Sequence, residues 1–165
     1  MSKFTQKYTL IQLLEEIEDG YEYSSSNWPL HTTIADTFAV DWDEDNLLGK
    51  LEVLLAKHKS FSTKATDFEF FGQEKQIKVT LLELNEELLE LHSSVVSLLK
   101  SAGAIFNDPQ FTGASYLPHA TVQPHAHLKK GDIVNFTGLS LIDMFPNDDP
   151  YRRKILKTMK LYGNG

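Results

Sequence analysis

Two short segments about ninety residues apart repeat one arrangement: Leu30-His31-Thr32-Thr33-Ile34 and Leu117-Pro118-His119-Ala120-Thr121-Val122. Each sets a histidine two positions before a threonine, inside an apolar, β-prone run. On a strand, successive side chains point to opposite faces. His31 and Thr33 therefore share one face, and Leu30, Thr32 and Ile34 take the other. In the second copy His119 and Thr121 share a face opposite Pro118, Ala120 and Val122. A single copy says little, because a strand histidine is commonly a half-buried residue with a satisfied hydrogen bond. Two copies constrain the chain much further. Strands lying side by side would bring two imidazoles and two hydroxyls to one ligand, which is the outline of a phosphate site.

The surroundings of the two copies match in element order. The first motif strand is expected over residues 30–39, after the loop Ser24-Ser25-Ser26-Asn27. Asp41 to Asp45 then lead into a helix whose apolar stripe is Leu47, Leu51, Leu54 and Leu55, with acidic residues at the positive end of its dipole. It ends near residues 57–59. Two β-like runs, 61–71 and 76–84, are joined by Gly72-Gln73-Glu74-Lys75, a hairpin signal. A second helix is expected over 85–102, with Leu88, Leu91, His92, Val95, Val96 and Leu99 along one side and Gly103 as its stop. His92 reads there as a packed residue. After the loop 107–115 comes the second motif strand, then a turn or short helix over 124–130. A second hairpin of runs 133–144 and 151–161 closes the chain. Near the start, residues 7–17 fit either a helix, through Leu10, Leu13, Leu14 and Ile17, or a buried strand.

Composition narrows the class of protein. With 165 residues, 41% apolar and 24% charged, the chain is expected to form a single domain, 1–165, with a proper core. It holds no run of about twenty apolar residues, so no membrane span is expected. Thr9 to Leu14 is too short for a signal-peptide core and runs into Glu15-Glu16. Absence of cysteine removes disulfides, thiolate catalysis and cysteine metal sites, and a cytoplasmic location is the default. A net charge of −7 argues against extended nucleic-acid binding, which draws on phosphate neutralisation. Positive charge gathers late, at Arg152, Arg153, Lys154, Lys157 and Lys160, after Lys129-Lys130, as a solvated face or a phosphate-drawing rim.

With the paired motifs and matched surroundings in view, the chain resembles the two-histidine (2H) phosphoesterase superfamily, also called LigT-like. Its mark is a pair of His-x-Thr/Ser-aliphatic motifs on strands of two pseudo-symmetric lobes, the second often introduced by a proline, as at Pro118. The resemblance implies an α+β fold: two interleaved lobes of antiparallel sheet, helices packed outside, and a central cleft. It requires a strand ahead of the first motif, so residues 8–14 are expected to be one. Many members also carry an arginine soon after a motif. Neither Ala35-Asp36 nor Gln123-Pro124 supplies it, and Asp36 would be unfavourable close to phosphate.

The activity the resemblance implies is metal-independent phosphodiester chemistry, foremost the opening of a 2′,3′-cyclic phosphate on a nucleotide or RNA end. His31 and His119 would serve as acid and base in an order the symmetric motif leaves open, and Thr33 and Thr121 would donate to the non-bridging oxygens. Trp28 and Tyr116, two or three residues ahead of a motif histidine, are the preferred stacking residues, with Tyr23, Phe38 and Phe145 as further candidates. No cofactor and no metal is expected. The partner is a small nucleotide or RNA end, with no membrane and no long DNA. The oligomeric state stays open, with a monomer favoured. Two rival readings remain: a nucleotide- or RNA-end-binding module with little turnover, and a histidine metal site built from His119, His125 and His127.

Overall fold

The computed structural model describes residues 5–163. Its first strand, β1 (Tyr8–Leu13), settles the ambiguous N-terminal run. β1 lies between two partners in the interior of a sheet, so both of its edges are paired. Tyr8 and Leu10 enter the main apolar cluster, while Ile11 enters a second cluster on the other side. A strand buried on both faces loses the period-two pattern, which is why the spacing also fits a helix.

The chain continues through β2 (Glu22–Ser24), β3 (His31–Ala39) and helix α1 (Glu44–Leu55). The hairpin strands β4 (Phe61–Phe71) and β5 (Ile77–Leu82) follow, then helix α2 (Glu86–Ser101) and the short β6 (Ile105–Phe106). The second half supplies β7 (His119–Thr121), β8 (Ile133–Phe136), β9 (Gly138–Asp143) and β10 (Arg152–Lys160). Both helices start on a side-chain cap that satisfies an orphan N–H of the first turn. Asp43 accepts from the Asn46 amide at 2.8 Å and Asn85 from the Leu88 amide at 2.9 Å. No helix among the described residues is long and apolar enough to cross a membrane.

The strands form two antiparallel sheets, ordered β2-β10-β9-β1-β3-β6 and β7-β5-β4-β8. The motif strands thus fall in different sheets, and each sheet mixes both halves of the chain. β3 shares its sheet with the late strands β9 and β10, while β7 pairs with β5 from the early hairpin. One apolar cluster joins residues of both sheets and both helices, among them Leu10, Phe38, Leu51, Leu88, Leu99 and Phe136. The fold is α+β, as expected. β6 pairs with β3 only at Phe38 and Ala39, so the His31 end of that edge is left to β7, which runs beside it.

One expectation needs correction. The run 133–144 is not a single strand of a closing hairpin. It breaks at Thr137: β8 pairs with β4 in one sheet, and β9 pairs with β1 and β10 in the other. Leaving one ladder for another frees backbone donors, and a buried polar side chain catches them. Gln12 Oε1 accepts from the Thr137 N–H at 2.9 Å and from the Gly138 N–H at 3.3 Å. Gly138 also packs so tightly that an added Cβ would meet the Met159 carbonyl at 3.1 Å. A continuous β-prone run hides such a crossing, because both sides of the break are strand.

Gln12→Leu leaves those two amides without their acceptor. The variant is expected to lose at least about 1–3 kcal/mol of unfolding free energy, the penalty for a buried unsatisfied donor. Urea denaturation measures it, and unchanged stability would show that the crossing does not need Gln12.

Candidate active site

The two motifs carry their histidines in the same way. His31 Nδ1 donates to the Pro29 carbonyl at 2.8 Å, and His119 Nδ1 donates to the Leu117 carbonyl at 2.8 Å. A carbonyl only accepts, so both rings hold their proton on Nδ1 and keep the Nε2 lone pair for a reactant. Alternation works as the sequence implied: Leu30, Thr32, Pro118 and Ala120 are buried, while His31, Thr33, His119 and Thr121 are half-buried on the opposite faces. Burial pushes His31 below the ordinary histidine value of 6.5, against the Pro29 carbonyl, and the charge on His119 lowers it further. Burial lowers His119 as well, with the Leu117 carbonyl opposing.

Beside this face lies a cavity of about 230 Å³ lined by Thr33, Ile34, Asp36, Phe71, Phe111 and His119, with His92, Tyr116 and Leu117 completing it. Phe71 meets the His119 ring edge-on at 4.8 Å and 74°. Behind the cavity, His92 and Tyr116 stack in parallel at 3.8 Å. His92 Nδ1 donates to the Ile34 carbonyl at 2.7 Å, and its Nε2 accepts from the Gly113 N–H at 3.0 Å. Tyr116 donates its hydroxyl to the Thr33 carbonyl at 2.7 Å. A larger groove of about 700 Å³ runs past Glu15, Glu16, Glu18 and Asn135, but neither motif lines it.

On the other flank Trp28 lies against His31, with ring centres 4.8 Å apart. It borders a hollow of about 240 Å³ shared with Glu15, Tyr21, Asn27 and His125. Arg153, one of the basic residues read from the sequence as a solvated face or a phosphate-drawing rim, is folded inward. One guanidinium nitrogen donates to the Met144, Pro150 and Arg152 carbonyls at 2.9 Å each, and the group sits 5.9 Å from the Trp28 ring centre. Lys130 pairs with Asp67 and Lys157 with Glu52.

Comparison with known proteins gives this geometry a family. The model of the 2′-5′ RNA ligase superfamily matches residues 7–134. The chain belongs to that superfamily. Among solved structures sharing its fold, LigT of E. coli complexed with 3′-AMP has a TM-score of 0.59 at 16% identity, covering 96% of this chain and 99% of that one. A phosphoesterase has a TM-score of 0.58 at 15% identity, with 97% and 100% covered. A protein of Thermus thermophilus has a TM-score of 0.56 at 15% identity, with 96% and 100% covered. Among curated proteins no sequence matches significantly.

Of the aromatic residues expected near the motifs, Trp28 and Tyr116 both border hollows next to a motif. Tyr116 has its ring stacked and its hydroxyl engaged, so it builds the wall rather than offering a free face. Phe38 and Tyr23 are buried, in core clusters. The histidines of the metal reading are not brought together. His125 pairs with Glu15 at 2.7 Å, His127 lies against Phe68, and no metal-holding group of three is found among the described residues. Phe71 and Phe111 were missed. Register puts Phe71 on the His119 face, because Phe71 pairs with Ile77 and Val79 with Thr121, and that pairing is not carried by either strand alone. Phe111 sits in a short turn, Pro109–Phe111, that no periodicity reveals.

The His92 contacts need a neutral ring, since a proton on Nε2 would face the Gly113 N–H. Burial accordingly holds His92 below 6.5. An unfolded histidine titrates near 6.5, so below that pH the unfolded state takes up more protons and the native state loses stability. Glutamine can make both hydrogen bonds but does not titrate. The stability gap between wild type and His92→Gln is therefore expected to narrow from pH 7 to pH 5 in denaturant titrations, and a constant gap would contradict the lowered pKa.

Proposed function

We propose that this chain is a metal-independent phosphodiesterase that opens the 2′,3′-cyclic phosphate of a nucleotide or RNA end, with His31 and His119 as its acid–base pair. The observation that carries this reading is the mirrored state of the two imidazoles. Each has Nδ1 tied to the carbonyl two residues upstream, and each has a threonine on its face. Neutral Nε2 of one ring takes a proton from water as the water oxygen bonds to phosphorus. The bond from phosphorus to one ribose oxygen breaks, and protonated Nε2 of the other ring delivers its proton to that oxygen. Thr33 and Thr121 hydroxyls donate to the non-bridging oxygens as charge builds. The same groups run backward in joining RNA ends. Support for a small nucleotide as ligand comes from the fold relative LigT of E. coli, solved with 3′-AMP, NADP+ and ATP.

A second reading has one observation in its favour. No lysine or arginine lies among the residues lining the cavity beside His119, which suits a nucleotide-binding module with little turnover. A ligand-dependent rise in Tm with no product formed would favour it.

His31→Ala and His119→Ala are each expected to lower turnover of 2′,3′-cyclic nucleotides by about 10²–10⁴-fold. Equal turnover in wild type and both variants would remove the assignment. The pH profile adds a separate check. Both histidines titrate below 6.5, so the protonated acid becomes scarce as pH rises past that value. The bell of kcat/KM is expected to peak on the acid side of 6.5, with full rate kept in excess chelator. A peak in the alkaline range would contradict the lowered pKa values.

A further inference from the structure

Plain alternation from His31 would point Asp36 away from Thr33. The register of β1 with β3 reverses this: Ile11 pairs with Thr33 but Leu10 with Ala35, so β3 carries one extra residue at Ile34. A bulge of this kind re-aims the side chain beyond it. Asp36 is thereby brought to the Thr33 face of the strand, and both residues line the cavity with His119. Its volume, about 230 Å³, lies below the ~300–1,000 Å³ usual for whole drug-sized ligands. It fits one planar ring system, and a ring seated there abuts the two motif residues that face phosphorus.

The walls are apolar. Phe71, Phe111 and Leu117 line it, and Phe111 and Leu117 are 50% and 45% exposed at its mouth. The polar atoms of His92 and Tyr116 are engaged with backbone. Thr33 and His119 are assigned to the phosphate, which leaves Asp36 to read the edge of the ring. We propose that Asp36 is a specificity-determining residue that makes this cavity a guanine subsite, its carboxylate accepting from the N1–H and the adjacent exocyclic amino group. The proposal rests on the phosphodiesterase reading for its position next to the reacting phosphate.

Chemistry separates the bases. An ionised carboxylate only accepts hydrogen bonds. Guanine presents two neighbouring donors on its Watson–Crick edge. Adenine and cytosine set a single amino group beside a ring-nitrogen lone pair, and uracil sets its N–H between two carbonyls. Burial, with a hydrogen bond and charge from Asp108, raises Asp36 to about 6, so the acceptor form dominates at neutral pH. The Thr37 backbone already hydrogen-bonds Asp36, and with no lysine or arginine in the lining two further N–H donors offset the water that a half-buried carboxylate loses.

The test is kcat/KM at pH 7.5 on the four 2′,3′-cyclic nucleoside monophosphates. Wild type is expected to favour the guanosine substrate over the adenosine one by at least about tenfold, as a bidentate base contact does. Asp36→Asn, which presents a donor to a donor, is expected to collapse that ratio. A wild type without the preference, or a variant that keeps it, overturns the proposal. Phe111→Ala, at an exposed turn, is expected to raise KM for all four substrates while leaving the ratio intact; a loss of ratio there would assign selectivity to the wall instead. Should no cyclic nucleotide be turned over, the phosphodiesterase reading fails by itself. Calorimetric titration with 3′-GMP and 3′-AMP then reads the subsite directly. Tighter 3′-GMP binding abolished by Asp36→Asn supports it, and equal binding by wild type overturns it.

Discussion

Two consecutive carbonyls on β3 hold the cleft together. Thr33 accepts from the Tyr116 hydroxyl and Ile34 from the His92 ring, and those two donors stack on each other at 3.8 Å. Tyr116 lies three residues before His119, so the bond at Thr33 sets the distance between the first motif and the segment delivering the second. His92 extends the tie to α2 and, through the Gly113 amide, to the turn ahead of Tyr116. A buried carbonyl left without a donor costs about 1–3 kcal/mol. The approach of β3 to β7 is therefore favoured by backbone satisfaction as well as by packing, and the cavity walls follow from it.

Interleaving makes that approach hard to undo. The sheet of the first motif strand is completed by strands from the end of the chain, and the second motif strand pairs with the early hairpin. The histidines sit at the seam between sheets, while the shared apolar cluster runs continuously beneath. Pulling the motifs apart would separate sheets that each contain both halves of the sequence. The Thr137 crossing, with Gln12 as its acceptor, is where the late chain passes from one sheet to the other.

Electrostatics at the seam run against a simple picture of phosphate capture. The net charge is −7, Arg153 is spent on backbone carbonyls, and the cavity wall holds a carboxyl group. What remains for an anion is local: imidazoles that can gain protons and hydroxyls that can turn toward oxygen. Burial favours neutral rings in the absence of ligand. On the proposed reading, a phosphate would supply the negative charge that draws a proton onto one of them, coupling binding to the acid–base poise.

Much of this was legible before any coordinates. Periodicity located α2 to within one residue of each end and α1 with an end two to four residues late, the Gly72–Lys75 link marked the hairpin, and alternation identified which motif side chains stay buried. These are local properties, dictated by the spacing of apolar groups and by caps within a few residues. His92 shows the limit of that kind of reading: its place on an apolar helix face correctly meant burial, but not that its ring would tie the two motif strands together. The break at Thr137, the turn carrying Phe111 and the bulge that redirects Asp36 depend on pairing partners far away in the chain. Local spacing was enough for the two helices, the early hairpin, the family motif and the faces of the two histidines. Which strands are neighbours, and which side of β3 Asp36 joins, came only with the assembled sheets, because register is set between strands and no single strand contains it.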